Sequence, residues 1–580
     1  MYDLTIRNGT IVDGTGRARF SGDLGITDGR IVDVGAVPGE GRRDIDAAGM
    51  VVCPGFIDIH THYDAQILWD PRISVSPSQG VTTAIMGNCG FTIAPTRPDD
   101  RDFILRTLQE VEGMDYQCYS AGLGDWGFET FPQYLDLIER RGCLINVGAL
   151  IGHTAVRTYV LGEEANQRKE ATPEEIERMR EIVREALCAG AAGFSTSNSP
   201  AHWGYDGRPV VSRWTTIGEL QALVTVLKEQ GTGTFEATWG PEISIEGVEA
   251  LLRETGVPMC NPAIVAREDA TSFERIDLMK RLQAEGLPWF PQMPALPNTF
   301  EVGLEDPFMF ALDQPPIFGV RGLEDLFGPL MQLPTAADRQ KVYEDPQFRA
   351  KFIEQTSGSD WMEKAWPWIV INYAPSRPEL QGQRMDAAAR AIGEPPAALM
   401  LDLCIESELA ARFGSMTGNR SEKMQWDLFH YDGIRLGLSD AGAHQGMLCD
   451  ARYPAYLLGY WVREKGLTLE RAIRMMTSME AECYGIKGRG ILAEGLAADI
   501  VVFNPDTVAD GPLRRVNDLP ANGGRLVSEP NGIEYVLVNG VVIRDEGKDV
   551  ADLDPLPGKL MREYQPHRDR RGPLGAPLAV

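Results

Sequence analysis

"GFIDIHTHYDA", residues 55–65, closes an apolar run with two histidines, His60 and His62. If the run is a β-strand, residues i and i+2 point the same way and both imidazoles face one ion. Two ligands do not complete a metal site. The remaining ligands have to come from neighbouring strands, so the order of elements along the chain decides whether a site exists.

Working outward from this stretch, strand candidates recur at "VVCPGFIDIH" (51–60), "VTTAIMGNC" (81–89), "LINVGALIGH" (144–153) and "AAGFSTS" (191–197). They continue at "TGTFEATW" (232–239), "VPMCNPAIV" (257–265), "LPWFPQMPAL" (287–296) and "IRLGLSDAGAH" (434–444). Helical patterns separate them. "TPEEIERMREIVREALCAG" has a Thr N-cap, Pro at the first helical position, acids in the first turn and Gly near its end. "TIGELQALVTVLKEQG" and "SFERIDLMKRLQAEG" follow the same grammar. Strands alternating with helices in this way predict an α/β fold, a (β/α)8 TIM barrel. From alternation alone, a doubly wound open sheet is the alternative.

The chain ends read differently. Residues 1–52 and 488–556 show short alternating strands broken by NG and DG turns, so the two ends together predict one small β domain, a β-sandwich. The barrel then spans 53–487. A long segment at about 297–433, rich in Pro, Phe, Met and Trp, reads as an insertion after the seventh strand. It is either a lid or pocket wall over the barrel mouth, or a packing elaboration. From Pro557 to residue 580 the tail reads as loosely ordered.

The chain has 580 residues and a formal charge of −27. Such an acidic surface argues against nucleic acid or an anionic membrane as partner, and leaves a small-molecule substrate and a homo-oligomer compatible. The nine cysteines are scattered without a CxxC, so no disulfide framework is expected. The start lacks signal-peptide character, and no uncharged apolar run reaches the length of a membrane span. A cytoplasmic location is the default expectation.

Polar groups at the strand ends are the candidate machinery. Cys89, flanked by glycines in "GNCG", is a candidate thiolate ligand. His153 ends the third strand and is a candidate oxyanion donor or a structural histidine. Asp440 in "SDAGAH" is a candidate ligand and general acid/base, with His444 as a substrate or proton-relay candidate. Trp239 and Asn261, at the ends of strands five and six, and Arg452, after strand eight, are candidate substrate contacts. Cys260 would serve only if it faced the mouth. Glu236 lies three residues before Trp239, which puts the two on opposite faces and reads Glu236 out of register. His202, in the loop "NSPAHWGYDG", could reach the mouth but reads more simply as a surface residue.

These motifs together resemble the amidohydrolase superfamily, and within it the D-aminoacylase (N-acyl-D-amino-acid deacylase) family. "LTIRNGTIVDGTG", "PGFIDIHTHYDAQ", "QGVTTAIMGNCGFTIAP", "GHTAVR", "GLSDAGAH" and "GRGILAEGLAADIVVFNPDTV" carry the resemblance over most of the chain, in the family's order. The resemblance implies a distorted barrel with a β-sandwich made from both chain ends, and Zn2+. It implies that His60 and His62 are ligands, that Cys89 is a ligand able to bridge, and that Asp440 is the general acid/base. The family's metal histidines on strands five and six are replaced here, by the region of Trp239 and by Cys260, Asn261 or Pro262. The expectation is one zinc per chain on His60, His62, Cys89 and Asp440, and hydrolysis of an N-acyl amino acid or small amide by attack of metal-bound hydroxide. Lactone hydrolysis, a lyase or isomerase step, and a metal-free binding protein are the alternatives.

Overall fold

In the computed structural model, residues 1–167, 170–204, 207–307, 310 and 323–575 are described. The chain forms two compact units, Met1–Leu296 with Lys423–Gln445 and Cys449–Val580, and Pro297–Glu422 with Gly446–Leu448.

The first unit contains the barrel. Its strands are β1 (Phe56–Thr61), β2 (Val81–Met86), β3 (Asn146–Gly152), β4 (Gly193–Ser197), β5 (Thr234–Thr238), β6 (Met259–Asn261), β7 (Trp289–Met293) and β8 (Arg435–Leu436). They lie side by side in chain order in one eight-stranded sheet, and each neighbour pairing along it is parallel. Closure between the last strand and the first is made beyond β8. His62 N–H donates to Ala441 O at 2.7 Å, and Ser439 Oγ donates to His60 O at 3.0 Å.

The predicted eighth strand, 434–444, is ordered as strand only at Arg435–Leu436. Leu438, Asp440, Gly442 and His444 all take left-handed backbone angles (φ 59°, 46°, 98° and 47°). A strand cannot continue through such angles, and non-glycine residues held there mark a segment that the surroundings over-determine.

The helices pack where their sequence grammar puts them. Helix α1 (Arg101–Glu112) leads from β2 toward β3, and α2 (His153–Leu161) starts at the residue after β3. The helix Pro173–Ala189 has Thr172 and Glu175 as a reciprocal capping box and ends at Gly190 in a left-handed turn. It buries Met179, Ile182, Val183, Ala186 and Leu187, one stripe at helical spacing.

Both chain ends build one nine-stranded sheet. Val51–Pro54 pairs in parallel with Tyr2–Ile11 and antiparallel with Ile500–Phe503, which joins the N-terminal strands to Ile533–Val538 and Val541–Asp545. Leu4, Ile6, Leu24, Ile45, Val502 and Leu537 share its apolar core.

The tail from 557 is not loose. Val147 N–H donates to Lys559 O at 3.0 Å and Met561 N–H returns to Val147 O at 2.7 Å. Arg570, 2% exposed, donates to Gly233 O at 3.3 Å, to Thr234 Oγ1 at 3.1 Å and to Cys483 O. The tail's place at the chain terminus predicts loose order. What orders it is the set of buried carbonyls near the starts of β5 and β3 that need donors. Residues 576–580 of that tail lie outside the described residues.

The second unit has its own sheet, with Arg412–Gly418 between Asn298–Val302 and Ile369–Tyr373, all antiparallel. Phe300, Phe327, Phe348, Phe352, Leu399 and Phe413 belong to its separate core. The long segment is therefore a compact body that closes at Glu422, and the helix Glu422–Phe429 leads back to the barrel. Most of the apolar run 308–322 lies outside the described residues. No helix among the described residues is long and apolar enough to cross a membrane.

Candidate metal centre

β1 carries His60 at its C-terminal end, and His62 follows in the turn. Cys89 sits in a tight turn after β2, with φ 56°, between Gly87 (φ 87°) and Gly90 (φ 75°). A Cβ on Gly90 would meet Thr196 Cα at 2.9 Å, so glycine is required for the turn to nest against β4.

The fold brings His60, His62 and Cys89 together, with one ligand atom from each within 4.8 Å of the others. Cys89 Sγ is 3.5 Å from His60 Nε2. Asp440 Oδ1 is 3.2 Å from His60 Nε2 and 3.7 Å from His62 Nε2. All four predicted ligands thus converge, from strands one, two and eight.

The surroundings prepare these atoms. His60 Nδ1 lies 3.0 Å from Gln292 Oε1, an oxygen that can only accept, so the ring carries its proton on Nδ1 and turns the Nε2 lone pair toward Cys89 and Asp440. His62 Nδ1 is 3.2 Å from the Glu112 carboxylate at the end of α1, which leaves Nε2 on the Asp440 side. Burial pushes the His60 imidazole down to about 4, against the Asp440 charge that raises it. For His62 the balance reverses: burial lowers it, but Glu112 and Asp440 raise it to about 9. Burial drives the Cys89 thiol well above its ordinary value, so its ionisation requires a cation beside it. Asp440 is held below the usual carboxylate range: burial raises it, and His62 and His60 overcome that. Two imidazoles, a thiol and a carboxylate, largely buried and mutually close, match the donor preferences of zinc.

Strand parity decides the other candidates. The inner face of β5 is Glu236 and Thr238. Glu236 Oε2 accepts from Cys89 N–H at 2.7 Å, and Thr238 Oγ1 donates to Ser197 Oγ at 2.8 Å. Trp239 belongs to the helix-side cluster with Phe235 and Ala237, edge-on to Trp289 and beneath Arg275. The two do lie on opposite faces, but Trp239, and not Glu236, points away from the centre. Burial lifts the Glu236 carboxyl to about 8, and its Oε1 is buried without a hydrogen bond. Asn261 is spent between Ala237 O (2.6 Å) and Trp289 Nε1–H (2.7 Å). Cys260 bonds Gln292 Nε2–H at 3.0 Å and lies 3.7 Å from Cys483 Sγ, away from the ligand cluster. Arg452 is paired with Asp510.

His153 is buried and both its nitrogens are engaged, Nδ1 with Thr196 Oγ1 at 2.8 Å and Nε2 with Glu219 at 2.9 Å. Glu219 also binds Arg157 at 3.1 Å. This is the geometry of a structural histidine that bridges α2 to its neighbours. His153→Ala is expected to cost about 2–3 kcal/mol of stability through the buried partners it abandons, with kcat changed less than about threefold. Urea unfolding beside steady-state kinetics checks both. His444 donates its backbone N–H to Glu112 O and feels the Asp440 charge. Glu112 and Gln292 carry no signal in the sequence, because each reaches the site from a distant helix or strand with no local motif, and Glu236, read as out of register, faces the centre after all.

A profile described as "Amidohydrolase family" matches residues 43–252 and 343–544. An uncharacterized Mycobacterium tuberculosis protein is 30% identical over 549 residues, 88% of this chain and 86% of its own length. The D-aminoacylase of Alcaligenes xylosoxydans xylosoxydans is 26% identical over 551 residues, 94% of this chain and 95% of that one. Among solved structures, the N-acyl-D-glutamate deacylase of Bordetella bronchiseptica, complexed with zinc and a phosphonate mimic of the tetrahedral intermediate, matches with a TM-score of 0.64. It is 26% identical, and the match covers 97% of this chain and all of that one.

Proposed function

The chain belongs to the amidohydrolase family, and we propose that it hydrolyses the amide bond of N-acyl amino acids at a single zinc held by His60, His62, Cys89 and Asp440. The observation that carries this reading is the convergence of three ligand atoms within 4.8 Å, from buried His60 and Cys89 and half-buried His62, with the Asp440 carboxylate against both imidazoles. The names of the relatives, a D-aminoacylase and an N-acyl-D-glutamate deacylase, support the substrate class and the D series.

Zinc bound there supplies Lewis acidity and lowers the pKa of water toward about 7. The protein's own part is to orient and to move protons. Gln292 and Glu112 fix the two imidazoles, and Glu236 pins the Cys89 turn through its N–H. Asp440, ionised beside two imidazoles, accepts a proton from the attacking water on its carboxylate and returns it to the leaving nitrogen. The C–N bond breaks, a carboxylic acid and an amine leave, and no proton is lost or gained overall.

Amine release from N-acetyl-D- and N-acetyl-L-amino acids by the zinc-supplemented protein tests this directly. Turnover of the D series is the expected result. Opening of lactones without amine release from any amide would replace amide hydrolysis with another reaction at the same centre.

A further inference from the structure

His202 follows β4 and reads from the sequence as a surface residue. In the fold it is half-buried, and its ring packs edge-on to Phe91 with centroids 5.1 Å apart. Phe91 is two residues beyond Cys89, and the Cys89 turn nests against Thr196 of β4. His202 is close enough to His62, His444 and Asp440 for their charges to act on it. Arg213 Nη1–H donates to its backbone oxygen at 3.1 Å and fixes the loop from the other side.

A short hydrogen-bond chain sets the state of the ring. Thr238 Oγ1 accepts Asn198 N–H at 3.1 Å and donates to Ser197 Oγ at 2.8 Å. Ser197 Oγ also accepts Ser199 N–H at 3.2 Å. With both acceptor positions taken, the one hydrogen of Ser197 is directed at His202 Nδ1, 2.5 Å away. Nδ1 is therefore an acceptor, and the proton of the neutral ring sits on Nε2. Burial, with His444 and His62, pushes this imidazole down to about 3, so the ring stays neutral. No residue among those described accepts a hydrogen bond from Nε2.

We propose that His202 is a catalytic hydrogen-bond donor: its Nε2–H meets the scissile carbonyl oxygen as negative charge builds there, and Thr238 and Ser197 hold the ring in the donating tautomer. No proton leaves the ring, so the step adds stabilisation without a change of protonation. His153, a candidate for the same role in the sequence, has both ring nitrogens engaged by Thr196 and Glu219. The inference rests on the amide-hydrolase reading above.

The test pairs His202→Phe, which removes the donor, with His202→Gln, whose side-chain N–H reaches a similar place. Removal of one such donor lowers kcat by about 10²–10³. His202→Phe is expected to show that loss with wild-type zinc content. Calorimetric binding of a phosphonate analogue of the best N-acyl amino acid should weaken in parallel, and His202→Gln should recover part of both. Histidine-selective 15N NMR should report the Nε2–H tautomer for His202, with that bias lost in Ser197→Ala. A proton on Nδ1, or unchanged phosphonate affinity in His202→Phe, overturns the proposal while leaving amide hydrolysis intact. Wild-type protein that releases no amine from any N-acyl amino acid overturns the amide reading and the proposal with it.

Discussion

Asp440→Asn is expected to lower kcat by about 10²–10⁴ while the protein folds normally. The carboxylate lies against both imidazoles of the centre, 3.2 Å from His60 and 3.7 Å from His62, and the amide that replaces it cannot carry the water's proton. The backbone at this position is left-handed, φ 46°, and Asn tolerates that region as well as Asp does, so the substitution changes chemistry and leaves the turn alone. Steady-state kinetics on the best N-acyl amino acid, beside circular dichroism and zinc content, separates the effects. A variant with near wild-type kcat would remove Asp440 from the proton path.

The double change His60→Ala, His62→Ala is expected to bring zinc from about one per chain to less than about a tenth, and activity to background, since two of four ligands are lost. Elemental analysis on chelator-free protein reads the first and amine release the second. The variant should also unfold more easily than metal-stripped wild type, by about 2–4 kcal/mol, because Glu112 is left buried without its imidazole partner. Two zinc ions in the wild type would bring in the unpartnered Glu236 Oε1 as a further ligand. No zinc after supplementation would end the hydrolytic mechanism and favour a metal-free binding protein.

Much of this was written locally. His60 and His62 are two residues apart at a strand end, Cys89 stands between glycines, and Asp440 follows an apolar strand; each motif needs only its own few residues to be read. The repeated strand and helix grammar gave the barrel, and the matching texture of the two ends gave the β domain, since hydrophobic period and turn chemistry are local properties.

The site's supporting groups were not local. Cys89 and Glu236 are 147 residues apart and His60 and Gln292 are 232 apart, and nothing near either partner announces the other. The same holds on the substrate side: Asn261, Trp239 and Arg452 each look available in one dimension, and in the fold Asn261 and Trp239 meet Trp289 while Arg452 pairs with Asp510.

By itself the amino-acid sequence determined the barrel and the β domain from both ends, and it singled out the four side chains that the fold brings together as a candidate metal centre, because periodicity and ligand spacing act within a strand or a turn. Only the tertiary structure decided which side of β5 faces the centre, that His153 is structural, that the tail closes the strand starts, and which tautomer His202 holds. Those outcomes depend on which buried donors and acceptors meet, and a buried polar group takes whatever partner the packing of distant strands provides.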